Sequence, residues 1–146
     1  MFSIIARMDT IGLKINKRTG KVDIYVNDEN LLKIVKKIES KHLKWWQSKD
    51  LRAGAYVGLP PEAVFYPSTR FLIEPNKDID DWEDKIVIYQ CHCGHEGCWP
   101  LLVKIQIKLK EVTWSDFEQP HRGEWKYDLK FTFDKKQYEA EIKKKI

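Results

Sequence analysis

At 146 residues the chain has the length of about one domain. Hydrophobic residues make up 42%, aromatics 12% and charged residues 33%, with a formal charge of +4. This composition excludes whole-chain disorder and a fibrous protein, and no apolar run reaches the roughly 18 residues a membrane-spanning helix needs. Arg7 interrupts the apolar start too early for a signal-peptide core, so the expected location is the cytoplasm, with no membrane partner.

Phe2, Ile4, Ala6 and Met8 alternate with Ser3, Ile5 and Arg7 as in a strand. Leu13 and Ile15 then face Val22, Ile24 and Val26 across a turn at Asn16-Lys17-Arg18-Thr19-Gly20, which predicts a β-hairpin. From Asp28 the period becomes helical through Leu31, Ile34, Val35, Ile38 and Trp45 or Trp46, giving a long amphipathic helix over about 28–46. Asn27 or Asp28 is placed to cap it, and six lysines from Lys33 to Lys49 face a single acid, Glu39.

Gly54, Gly58, Pro60, Pro61, Pro67 and Pro75 exclude long regular elements between Leu51 and Pro75, although Pro61 suits the first position of a short helical turn. Residues 76–84 hold a carboxylate-rich turn. Its fit to a calcium loop fails, because Asp81 stands where glycine is required and Val87 where a bidentate Glu is required. Strands follow at Lys85–Tyr89, Val103–Leu109, Val112–Ser115 and Leu129–Phe133, with connections too short for crossovers. Asp134 and Gln137 resemble a capping box opening a short C-terminal helix over about 134–145. Tyr138, Ile142 and Ile146 lie on one face, with Glu139/Lys143 and Glu141/Lys145 as spaced ion pairs. The expected architecture is a single α+β domain over 1–146, built on an antiparallel meander of about five to seven strands.

One segment, Gln90 to Pro100, carries residue types that folding alone does not require. On a strand Cys91 and Cys93 point the same way, and Gly94 and Gly97 allow the chain to turn back and bring Cys98 to them. Three thiolates form a donor set that selects zinc or an iron–sulfur cluster. A tetrahedral zinc site needs a fourth ligand: His121, His95 or water, with His92 the poorest choice because it points to the other face. The candidate metal set is therefore Cys91, Cys93, Cys98 and His121. The competing readings are three small buried hydrophobes beside a turn, or a reactive thiol activated by His92, His95 or Arg122.

A second constellation, Trp114 to Arg122, offers carboxylates, an imidazole and a guanidinium. Its simplest reading is that Trp114 and Phe117 pack and Asp116 caps a turn. Ser115, Asp116 and His121 are too local to count as a triad. Lysines on the long helix and on Lys104, Lys108 and Lys110, with Trp45 and Trp46 nearby, allow a nucleic-acid surface or simply a solvated one.

The segments Asp9 to Leu13, Gly58-Leu59-Pro60-Pro61, Cys93-Gly94 with Gly97-Cys98-Trp99-Pro100, Trp114 to Arg122 and Phe131 to Tyr138 resemble a family of bacterial hypothetical proteins with no assigned activity. The resemblance covers most of the chain and implies a whole-length member. The C-x-C-x4-C spacing is also similar to the zinc-binding segment that follows SET methyltransferase domains; that enzyme's fourth cysteine and cofactor motif are missing, so the likeness implies zinc alone. The expected function is a non-enzymatic cytosolic protein of the binding/regulatory or immunity type, with a structural zinc and a protein partner. The alternatives are an enzyme using a reactive cysteine or an open zinc site, and a nucleic-acid-binding protein.

Overall fold

The computed structural model describes residues 8–43, 53–72, 84–92 and 99–146. The expected strand at residues 2–7, Trp45, Trp46, most of the acidic turn, and Cys93, His95 and Cys98 lie outside them.

The first hairpin forms as its alternation dictates. Strands β1 (Ile11–Ile15) and β2 (Val22–Val26) pair antiparallel with Leu13 opposite Ile24 and Ile15 opposite Val22. At the turn the Asn16 side chain accepts from the backbone N–H groups of Arg18 and Thr19.

The helix starts later than the periodicity suggests. Asn27 and Asp28 both take positive φ and turn the chain into a two-residue strand, β3 (Glu29–Asn30), which pairs with β2. The cap is Asn30, whose side chain accepts from Leu32 N at 2.8 Å, and α1 runs Leu31–His42. Asp28 and Glu29 therefore precede the helix, because Asp28 lies in the positive-φ turn and pairing with β2 holds Glu29 and Asn30 extended.

A second sheet has the order β4-β5-β6-β7-β8, with strands Tyr56–Gly58, Lys85–Cys91, Leu101–Ile107, Glu111–Glu118 and Phe131–Asp134, all antiparallel. The fold is α+β, with two antiparallel sheets where the sequence suggested one. Strand β4 is the element the proline- and glycine-rich stretch concealed, and Pro61 opens a 3-10 turn after it. Where Leu102 and Lys104 oppose Glu118 and Ser115, β7 holds one extra residue, so Asp116 sits in a bulge at φ 54° instead of capping a turn.

Among the described residues, backbone hydrogen bonds join the two sheets in two places. Asp9 bonds its backbone N–H to Thr132 O and accepts from Thr132 N at 2.8 Å. Val22 N donates to Leu59 O at 2.9 Å, and Gly58 packs so tightly there that a Cβ would lie 2.1 Å from Val22 O.

Helix α2 (Lys135–Lys143) is capped by Asp134, which accepts from Gln137 N at 3.1 Å. The other half of the expected capping box is absent. Gln137 instead uses its side-chain amide both to donate to Ile11 O and to accept from Ile11 N, and Glu141 accepts from Leu13 N. These bonds cover the outer edge of β1, which would otherwise expose unpaired backbone. Glu139 and Lys143 pair at 3.4 Å, whereas Glu141 pairs with Lys144 in place of Lys145. Tyr138 and Ile142 are buried. Ile146 lies beyond the helix end and is exposed, so it does not join their face.

Candidate functional site

Alternating strand directions bring the start of β4, the end of β5, the start of β6 and the end of β7 to one end of the larger sheet. Cys91 is the last residue of β5, half-buried and directly opposite Tyr56. His92 follows it and is exposed. Buried Trp99 and Pro100 lead directly into β6. Strand β7 ends at Glu118, and His121 follows three residues later with its exposed ring stacked on Trp99, centroids 5.8 Å apart at 8°. Of the four candidate ligands, Cys91 and His121 are described, and they share this end of the sheet. Among the described residues no three Cys, His, Asp or Glu side chains form a metal-holding group.

Gln119 lies beneath these residues with no exposed surface. Its amide nitrogen donates to Tyr56 Oη at 2.9 Å and to Pro100 O at 3.0 Å, and its amide oxygen accepts from His121 N at 3.1 Å. One buried side chain thus ties together Tyr56, the cross-strand partner of Cys91, the Pro100 carbonyl just before β6 and the backbone of His121.

Tyr56 passes the network on to Glu39. This acid, which the sequence presents as a lone carboxylate on a lysine-rich helix, has no exposed surface at all. Its Oε2 accepts from Tyr56 Oη at 2.5 Å and from Tyr127 Oη at 2.6 Å, and its Oε1 accepts from Gly54 N at 2.8 Å. Burial drives the Glu39 carboxyl above its ordinary value, against the three hydrogen bonds and the charge of His42, which favour the ionised form. Burial, together with the Glu39 charge, pushes Tyr56 and Tyr127 above the usual phenol range, so both stay protonated donors.

The loop after β7 is fixed by aromatic contacts. Trp125 meets Trp99 edge-on at 6.1 Å and stacks on His42 of α1, and the Arg122 guanidinium lies 5.9 Å from the Trp99 ring. A 340 Å³ groove opens beside this loop, lined in part by Lys85, Asp116, Glu118 and Lys126, with Lys85 and Glu118 bonded to each other at 2.7 Å.

Glu39, Tyr56, Gln119 and Tyr127 were missed by motif reading. A signal for Glu39 was present, since it follows Leu31 and Val35 at four-residue steps and so continues the buried stripe of α1. Nothing local marks the other three. In the second constellation Trp114 and Phe117 pack as expected, while Ser115 pairs across the sheet with Lys104.

No family model matches the chain, and neither the curated proteins nor the solved structures contain a significant match. The α+β fold stands, and among the described residues no helix is long and apolar enough to cross a membrane.

Proposed function

We propose that this is a non-enzymatic cytosolic protein of the binding, regulatory or immunity kind, whose sheet end is held by a structural zinc on Cys91, Cys93, Cys98 and His121. One observation carries the reading. The connection holding Cys93 and Cys98 leaves the sheet at Cys91 and rejoins it at Leu101, and His121 follows β7 at that same end. Three thiolates and one imidazole suit zinc, and a closed four-ligand site suits structure over catalysis. When bound, zinc would supply cross-linking of the β5–β6 connection to the loop after β7. A binding role also fits the fate of the buried carboxylate: Glu39 has its oxygens taken by Tyr56, Tyr127 and Gly54 and is sealed from any substrate.

Elemental analysis of untagged protein purified without chelator tests the reading, together with thiol titration before and after denaturation. About one zinc per chain, with thiols unreactive until metal is stripped, is the expected result. Absence of metal with three freely titrating thiols overturns it. One abnormally fast thiol would point instead to cysteine chemistry.

A further inference from the structure

We infer that the outer face of helix α1 binds the phosphate backbone of duplex DNA, without regard to base sequence, through Lys33, Lys36, Lys37 and Lys41. This surface uses none of the proposed zinc ligands and stands or falls apart from them. Leu31, Val35 and Glu39 turn one side of α1 into the protein, and at about 3.6 residues per turn the four lysines fall on the opposite side. All four are exposed, and from Lys33 to Lys41 the row covers about 12 Å of helix axis.

Nothing within α1 offsets this charge. Glu39 is the helix's one acid, and it is buried and bonded to Tyr56, Tyr127 and Gly54. Among the described residues none of the four lysines makes an ion pair. Lys33 and Lys37, like Lys37 and Lys41, are equal charges four residues apart, which repel. Lys33 also stands in a first turn that holds no acid, at the positive end of the helix dipole. An anion laid along the face relieves both. The stem of Lys36 is supported from below: a Cβ added at Gly54 would lie 2.6 Å from Lys36 Cβ.

The chemistry of the face selects among polyanions. Protein interfaces centre on aromatic, Met and Arg anchors and are depleted in Lys, and interfacial membrane binding needs buried apolar area. The exposed large hydrophobics of the described residues (Met8, Ile15, Tyr66, Leu109 and Ile146) all lie off α1, and Ile34 and Ile38 pack against the core. Single strands are held by stacking on aromatic side chains, and α1 has no Phe, Tyr or Trp. Duplex RNA is recognised largely through its 2′-hydroxyls, but the one hydroxyl here, on Ser40, already donates to Lys36 O at 2.7 Å. Base edges are read by Arg, Asn and Gln, which α1 lacks. What remains is a row of point charges against the phosphates of duplex DNA, spaced at one per roughly 1.7 Å of axis.

Fluorescence anisotropy of a labelled mixed-sequence DNA duplex, titrated with untagged full-length protein at several salt concentrations, tests this. Four phosphate contacts give a slope of log K against log salt of about −3.6, a loss of roughly 100-fold between about 50 and 200 mM salt. Lys33→Gln with Lys37→Gln should bring the slope to about −1.8, and Lys36→Gln with Lys41→Gln should do the same. Lys104→Gln with Lys108→Gln removes equal charge from lysines already paired with Asp84 and Glu111, and should leave the slope unchanged. Thermal melting of each variant confirms that it is folded. A wild type that does not bind the duplex at the lowest salt overturns the inference, as does an equal fall in slope for the paired-lysine variant, which would make net charge the cause. Competition arms settle the occupant. Single-stranded DNA or duplex RNA bound as tightly as duplex DNA overturns the assignment to DNA, and tighter binding to polyglutamate or to phosphatidylserine vesicles overturns it in favour of an acidic protein or a membrane.

Discussion

The hydroxyl of Tyr56 donates to Glu39 at 2.5 Å and accepts from Gln119 at 2.9 Å, so a side chain of β4 connects helix α1 to the loop that follows β7. Elements far apart in sequence meet at this one oxygen. Removing Glu39 leaves the hydroxyls of Tyr56 and Tyr127 and the N–H of Gly54 without their acceptor. Glu39→Leu should therefore cost about 3–5 kcal/mol, and Glu39→Gln, which keeps one acceptor oxygen, about 1–2 kcal/mol. Urea unfolding of both variants measures this, and equal stabilities for the two would remove the hydrogen-bonding explanation.

Glu39 also gives stability a defined pH dependence. Because burial raises its carboxyl above the ordinary 4.5, the folded protein keeps a proton that the unfolded chain has lost between that value and the raised one. The stability attributable to Glu39 is fully present below 4.5 and declines as pH rises through the window. The wild type should accordingly lose stability relative to Glu39→Gln as pH is raised from 4 through the raised value. Urea midpoints of the two proteins across pH, taken as a difference, read this slope; a difference that grows in favour of wild type would reverse the sign and reject the assignment.

Gly58 is required by the crossing of the two sheets. An added Cβ would stand 2.1 Å from Val22 O and 2.9 Å from Val22 C, and Val22 cannot retreat while its N–H bonds Leu59 O. Gly58→Ala should cost about 3 kcal/mol or more, lowering Tm by roughly 6–12 °C in a chain of this size. Gly123, where a Cβ meets nothing within 4 Å, is the matched control, and its alanine variant should melt near the wild type.

Metal removal supplies a prediction for the proposed zinc. A ligand bound only by the folded state adds about 2.7 kcal/mol when present at a hundred times its Kd, which corresponds to roughly 5–10 °C in Tm. Chelator should lower the melting temperature of the wild type by that amount and leave a Cys91→Ser, His121→Ala double variant unmoved. Identical melting of the wild type with and without chelator would argue against a structural ion.

Much of the architecture was legible because the pattern that specifies it is local. Alternation marks the β1–β2 hairpin and strands β5 to β7, and four-residue steps mark α1. Asp134 announces α2, since its side chain can satisfy the first free N–H groups of only the helix that follows it. Cys91 and His121 were nominated by residue type, and Glu39 was the one network member whose stripe position betrayed it. The rest was decided by tertiary contacts. Two sheets form because β2 reaches β4 through Val22 and Leu59, a pairing no short window contains. Asn30 displaces Asn27 and Asp28 as the cap because pairing with β2 claims the preceding backbone, and Gln137 serves β1 instead of its own helix because an open strand edge lies within reach. The burial of Glu39, Tyr56, Gln119 and Tyr127 in one polar cluster depends on enclosure by three separated parts of the chain. Composition and periodicity therefore determined which segments fold as strands and helices, while the fit between those segments decided which polar groups lose water and must find one another.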